Sequence, residues 1–189
     1  VYRWASLATL VLGIAFGLMF LTFYLLFTGL WHYSQTMAGL AATPGPLIAT
    51  LVAASFSRRL TQGNFHLPMM IGGLAFAISN VWLSLFLEAA PAYLTVWLPG
   101  QVLGGIAIGL MLPGIAASAV SHLPQQQLGV GSAVNSALRL LGSSLGVAMA
   151  VALLGSSSLE IQAFKPVYGS LVLCGCLIAI IAWRLRLRS

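Results

Sequence analysis

Charge is what this chain lacks. Of 189 residues, 8 are Lys or Arg and 2 are Asp or Glu, so 5% are charged, against about 25% in a soluble domain. Such a chain cannot cover a water-facing surface. With 60% hydrophobic residues and a mean hydropathy of +1.01, it belongs in a lipid bilayer. Acid is scarcest of all. Glu88 and Glu160 are the only carboxylates, and both fall between apolar runs, so no span carries an acid able to relay a proton. Catalytic signatures are absent too: there is no HExxH, no intramembrane Asp pair and no glycine-rich phosphate loop, so the chain reads as no enzyme and needs no cofactor. Cys174 and Cys176 sit two positions apart and would point to different faces of a helix, which disfavours a mutual disulfide or a shared metal site. His32, His66 and His122 are scattered through turns rather than clustered, so no metal centre is expected. The net charge of +6 would suit nucleic acid, but the basic residues stand at the ends of apolar runs. That pattern belongs to membrane topology, and no nucleic-acid partner is expected.

What is present is a series of apolar runs. No charged residue lies between Arg3 and Arg58, a stretch too long for one span of about 20 residues. It divides at the polar, aromatic segment TGLWHYSQT, 28–36. The expected spans are about 4–27, 38–57, 67–87, 93–120, 128–154 and 166–183, with Pro166 in the first turn of the sixth, where its missing N–H is harmless. Six spans place Arg3, Arg58, Arg59, Arg184, Arg186 and Arg188 on one side, and Lys165, Glu88 and Glu160 on the other. The positive-inside rule makes the arginine side cytoplasmic, with both termini there, and the setting the cell membrane. The fold class is thus all-α, a polytopic bundle over 1–189 with no soluble domain. The chain opens at Val1 and enters an apolar run almost at once, as an excerpt of a longer protein would.

Small residues mark where helices should meet, since lipid supplies no hydrophobic drive between them. One face of the first span carries Ser6, Thr9, Gly13, Gly17 and Phe20. One face of the second carries Gly39, Thr43, Thr50, Ala54 and Ser57. The third has Gly73, Ala77, Asn80 and Ser84, and the fourth has Gly100, Gly104, Gly105 and Gly109, with Pro99 and Pro113 as kink candidates. The fifth span is the most unusual. At 100° per residue, Ser132, Asn135, Arg139, Gly142, Ser143 and Gly146 share one face, and Val134, Leu138, Leu141, Leu145, Ala148 and Ala152 the opposite one. The polar face must meet protein or water, because an arginine facing lipid at mid-depth costs roughly 2.5–3.5 kcal/mol.

These residues resemble the major facilitator superfamily, and within it the fourteen-helix drug–proton antiporter branch. The likeness is carried by Asn135, Arg139, Leu140, Leu141, Gly142, Ser143, Ser144, Leu145, Gly146, Val147 and Ala148, which follow the family's pattern Asn, three residues, Arg-Gln-Leu-Gly, a small pair and Leu-Gly-Val-Ala. LPQQQLGVGSA is similar to the loop that leads into that helix. Gly105, Gly109 and Pro113 match a glycine-rich run ending in proline, and YSQTMAGLAATP is similar to an external turn and next helix start. Leu140 replaces the family's Gln, Thr28 stands where a Gln is common, and the loop SFSRRLTQGN keeps Arg58, Arg59 and Gly63 but lacks the signature acid. The resemblance implies the C-terminal six-helix half of a proton-driven exporter of small amphipathic compounds working by alternating access. Its partners would be the missing N-terminal half, which would supply the proton-coupling acid, and the substrate.

The candidate pathway residues are Arg139, Asn135, Ser132, Gln101, Asn80 and Tyr24. Arg139 has three readings: lining a water-filled cavity, clamping backbone carbonyls, or reaching to the interface, since it lies about 16 Å into the helix at 1.5 Å per residue. Asn135 serves equally as a hydrogen bond between helices, and for Asn80 and Gln101 that packing role is the favoured one. Tyr24, with Phe20 and Phe23, suits an apolar drug pocket, whereas Trp31, Tyr33 and Trp97 suit an interfacial aromatic belt. Gly13, Gly17, Gly104, Gly105, Gly109, Pro113, Gly142 and Gly146 are the packing or hinge candidates. The competing function is a truncated half-transporter that transports nothing and serves as a membrane-embedded assembly partner. A channel fits less well, because no filter-like loop or charged ring occurs.

Overall fold

The computed structural model describes residues 2–61, 65–120, 123–155 and 161–187. His122, Glu160 and Arg188 lie outside the described residues, as do the side chains of Arg58 and Arg59. The described residues form helices and turns without a strand: α1 (Tyr2–Leu25), α2 (Gln35–Ala42), α3 (Pro44–Thr61), α4 (His66–Phe86), α5 (Leu98–Val120), α6 (Leu128–Leu154) and α7 (Ile161–Arg186). Wider π-type turns at Leu26–Leu30 and Tyr93–Trp97 extend the first and fourth spans. Counting α2 with α3, six segments are long and apolar enough to cross a membrane.

Local chemistry sets the breaks. The first span ends where His32 adopts φ 52°, and the Ser34 hydroxyl then caps α2 by accepting from the Met37 N–H at 3.2 Å. Pro44 opens α3, so this proline occupies the first-turn position that needs no N–H. Pro166 does not: α7 begins earlier, at Ile161, and Pro166 lies inside it. Removing one N–H near a helix start is tolerated, so the proline does not set the boundary there. Gly155, with φ 66°, ends α6 in a conformation open to glycine. Several hydroxyls inside the spans turn back on their own helices, as Thr9 does to the Ala5 carbonyl at 3.1 Å and Ser170 to that of Pro166 at 3.0 Å. Lipid offers them no other partner.

Glycines fix which helices touch. A Cβ on Gly13 would collide with the Arg139 carbonyl oxygen, one on Gly17 with that of Ser143, one on Gly142 with that of Leu10 and one on Gly146 with that of Ile14. Paired Gly-x-x-x-Gly stretches on α1 and α6 thus mesh backbone to backbone. Likewise Gly73 on α4 faces Gly175 and Ala179 on α7, and Gly105 and Gly109 on α5 face the Gly45 and Ala49 carbonyls of α3. The pairing is symmetric. Exchanging the first three spans for the last three maps the α1–α6 seam onto the α5–α3 seam and the α4–α7 seam onto itself, the arrangement of an internal three-helix repeat.

Burial is uneven. In their most apolar stretches the second and fifth spans are only 17% and 22% buried, against 50–56% for the other four. The small face expected to pack within the second span is the one left open: Gly39, Thr43, Thr50 and Ala54 are all exposed, while Ala41 and Gly45 turn inward. The opposite side of α2–α3 meets α5 because Gly45 and Ala49 let Gly105 and Gly109 approach. The aromatic belt is also corrected. Trp97 is fully buried and Trp31 nearly so, because they pack on each other and on Phe27 at ring-centroid distances of 6.1, 5.6 and 4.7 Å instead of facing headgroups. At the other end, the Arg184 guanidinium lies 5.9 Å from the Trp4 ring centroid, bringing the start of α1 beside the end of α7.

Candidate functional site

Two cavities divide the sequence-predicted pathway residues. The larger, of 570 Å³, lies among the first four spans and takes in Tyr24, Asn80 and Gln101. Its first wall is a stripe on α1 and the turn after it: Phe16, Phe20, Phe23 and Phe27 recur at intervals of four, three and four residues, so they fall on one helical face. Phe76 of α4 adds a further ring. Among the described residues no charged side chain lines this cavity.

Its buried polar groups are mostly engaged. The Asn80 Nδ2 donates to the Phe76 carbonyl at 2.8 Å, which leaves its Oδ1 as an acceptor. The Ser79 hydroxyl donates to the Gly100 carbonyl at 2.8 Å. Gln101 is 7% exposed and lies against Gly45, whose missing side chain makes the room: a Cβ there would stand 2.5 Å from Gln101 Oε1. The end of the cavity nearest the turn at 31–34 is backed by aromatics, with Trp97 meeting Phe23 edge-on at 4.5 Å and Tyr33 stacked on Phe27 at 5.8 Å. Two long-range bonds brace that end. The Trp31 Nε1 donates to the Glu88 carbonyl at 3.3 Å, and the Tyr93 hydroxyl to the Ala41 carbonyl at 3.1 Å.

The smaller cavity, of 420 Å³, collects Ser132, Asn135 and Arg139 from α6, with Thr9 of α1 and a short stretch of α5 opposite. Arg139 and Asn135 are half-buried and Ser132 is exposed. Among the described residues the Arg139 guanidinium makes no hydrogen bond or ion pair, while its main-chain carbonyl lies against Gly13. Leu112 borders both cavities. It is half-buried and precedes Pro113 inside α5. The aromatic cavity thus runs from the turn at 31–34 inward, and the arginine cavity continues beyond Leu112 toward the end where Trp4 and Arg184 meet. Of the packing candidates, Gly104 and Gly105 also border the larger cavity, whereas Gly13, Gly17, Gly142 and Gly146 hold α1 against α6 and Gly109 holds α5 against α3.

The chain is 31% identical over 137 residues to the puromycin resistance protein pur8 of Streptomyces alboniger, a match covering 71% of this chain and 27% of that protein. It is 27% identical over 125 residues to the multidrug export protein EmrB of Haemophilus influenzae, covering 66% of this chain and 24% of that protein. Both matches agree with the resemblance to the major facilitator superfamily. The chain is a multi-pass membrane protein, and the two relatives are named for puromycin resistance and multidrug export. Each match spans about a quarter of the curated relative's length. No family model matches the chain, and no solved structure matches it significantly.

Within that superfamily setting, the polar face of α6 splits by depth. Its glycines go to α1, and its Ser-Asn-Arg part goes to a cavity. Phe16, Phe27, Gly45 and Leu112 were not singled out from the sequence. The four-three-four spacing of phenylalanines was a usable signal for the first two. Gly45 and Leu112 gain their roles only from neighbours on other helices.

Proposed function

We propose that this chain is the C-terminal six-helix half of a secondary transporter of the fourteen-helix drug–proton antiporter branch, exporting small amphipathic or drug-like compounds across the cell membrane. The observation that carries this reading is the pair of cavities separated by Leu112. A 570 Å³ apolar, aromatic chamber is of the size that takes a drug-sized molecule, and a polar chamber with Arg139 continues it toward the arginine-bearing end. The names of the two relatives, one for puromycin resistance and one for multidrug export, support the same substrate class.

Alternating access supplies the mechanism. The second and fifth spans, thinly covered here, are the surface on which the other half docks and rocks. Arg139 keeps the inner chamber polar and hydrated, and Asn135 and Ser132 extend it. Proton coupling requires a titratable acid within the membrane. Glu88, the only acid among the described residues, lies at the turn after α4, so the coupling carboxylate belongs to the other half. Both ends of this segment face the cytoplasm, as Arg3, Arg184 and Arg186 at one end favour.

The test is export of Nile red, a lipophilic aromatic dye, from cells expressing the protein as its source gene encodes it, with Arg139→Ala alongside. We expect export by the parent and a clear reduction in the variant at unchanged membrane abundance. An absence of export by the parent refutes transport, and unchanged export by Arg139→Ala refutes the cavity role of the arginine. If the parent is inert yet assembles with another membrane protein, the assembly-partner function holds instead.

A further inference from the structure

Gln101 is out of place as structural glue. A carboxamide buried between transmembrane helices ordinarily bonds across to a neighbour, because leaving its N–H groups unmade in an apolar setting is unfavourable. The Gln101 side chain is 7% exposed, yet it makes no hydrogen bond among the described residues and it borders the larger cavity. The room for it is built in. Gly45 on the facing helix leaves a notch, and even one methyl group there would stand 2.5 Å from Oε1. The other buried polar side chains on this cavity each donate to a backbone carbonyl, Ser79 to Gly100 and Asn80, through one of its two N–H groups, to Phe76. Tyr24 and Gln35 also line the cavity, but both are exposed. Gln101 therefore turns an uncommitted amide toward a chamber lined mostly by apolar side chains, five of them phenylalanines.

We propose that Gln101 is the specificity-determining residue of this chamber and that the chamber selects uncharged aromatic compounds bearing a hydrogen-bond acceptor such as a carbonyl. The inference rests on the chamber being a substrate site, as proposed above. Chemistry fixes the class. A flat apolar body stacks on the phenylalanine stripe. A formal charge finds no counter-charge among the described lining side chains and is disfavoured. An acceptor on the compound takes the Gln101 N–H, whereas an analogue without one leaves that donor buried and unpaired. Sites built to hydrogen-bond a substrate reject the analogue lacking the group for this reason.

The matched probes are 2-acetylnaphthalene and 2-ethylnaphthalene, which differ by a carbonyl in place of a methylene. Binding is measured by equilibrium dialysis on the detergent-solubilised protein as its source gene encodes it. A protein-free micelle blank for each probe removes its own partition into detergent, and each variant is compared with the parent in the same detergent. The parent is expected to prefer the ketone roughly fivefold, the effect of one neutral hydrogen bond. Gln101→Met, which keeps the length and removes the amide, should abolish that preference, weakening 2-acetylnaphthalene binding while 2-ethylnaphthalene, no longer facing an unpaired donor, binds no worse than to the parent. Gly45→Ala, which fills the notch, should lower it too and provides the same reading if Gln101→Met fails to accumulate. Equal binding of the two probes by the parent, or a preference that survives in Gln101→Met, overturns the proposal. Export is read separately: a parent that prefers the ketone but exports no dye keeps the Gln101 assignment and refutes the transport reading.

Discussion

Gly17 and Gly146 show how little room single residues leave in this bundle. A Cβ on either would overlap a carbonyl oxygen of the facing helix, Ser143 or Ile14, and neither oxygen can move without shifting a helix. Gly17→Val should therefore destabilise the protein by about 1–3 kcal/mol, the usual range for overpacking, read as a lower thermal midpoint in detergent. Gly39→Ala is the control. Nothing lies within 4 Å of a Cβ built there, so its midpoint should hold or rise slightly, given that alanine favours helix over glycine by about 1 kcal/mol. Gly13, Gly17, Gly142 and Gly146 were legible as a packing set because their four-residue spacing is visible in the sequence. Gln101 was legible as a mid-span polar residue, but its lack of a partner was not. Hydrogen-bond satisfaction depends on which helix stands opposite, and spacing along one helix holds no information about that.

At the scale of the element, α5 is the helix that both cavities share. Leu112 borders each of them, and Pro113 follows it, where the missing N–H removes one rung of the helical ladder. Leu112 then acts as the partition between the aromatic and the arginine chambers. Leu112→Ala should join them and raise passive dye leak through the protein, and Leu112→Trp should close the passage and suppress export, both at normal membrane abundance. Dye flux with and without an imposed pH gradient distinguishes the two, and unchanged flux in both variants would remove Leu112 from the pathway. The apolar lengths of the spans were readable from charge gaps alone. The break between α2 and α3, the early start of α7 and the inward burial of Trp31 and Trp97 were not. The first two depend on where proline is tolerated, and the third on aromatic partners contributed by a different span.

The whole molecule is a bundle with two unequal sides. The exposed small residues of the second span, Gly39, Thr43, Thr50 and Ala54, and those of the fifth, Ser132, Ser136 and Ser144, lie on the two helices that the other four leave least covered. In a bilayer such faces call for another protein surface, since small and polar residues pack helices closely and gain nothing from lipid. Cysteines introduced at Thr43 and Ser136 in a background lacking Cys174 and Cys176, alkylated with benzophenone maleimide and irradiated, should photo-cross-link to another protein segment, and photo-cross-linking to lipid alone would contradict that docking. Trp4 and Arg184 meet at one end, so a reporter fused after Ser189 should read cytoplasmic, and an external reading would overturn the proposed orientation. Fold class followed from composition because 5% charge leaves few alternatives. Which faces stay open did not follow, because a small-residue face looks the same in sequence whether it meets its own bundle or another.

The central claim is that the 570 Å³ aromatic chamber carries the transported compound. The most direct measurement obstructs it without disturbing the fold. A Cβ at Gly104 would meet only the Ser79 hydroxyl, at 3.3 Å, and the position borders the chamber, so Gly104→Phe fills open space and Gly104→Ala barely intrudes. The account predicts that cells expressing Gly104→Phe lose Nile red export while Gly104→Ala keeps it, both at parental membrane abundance. Export by Gly104→Phe equal to that of the parent would contradict it.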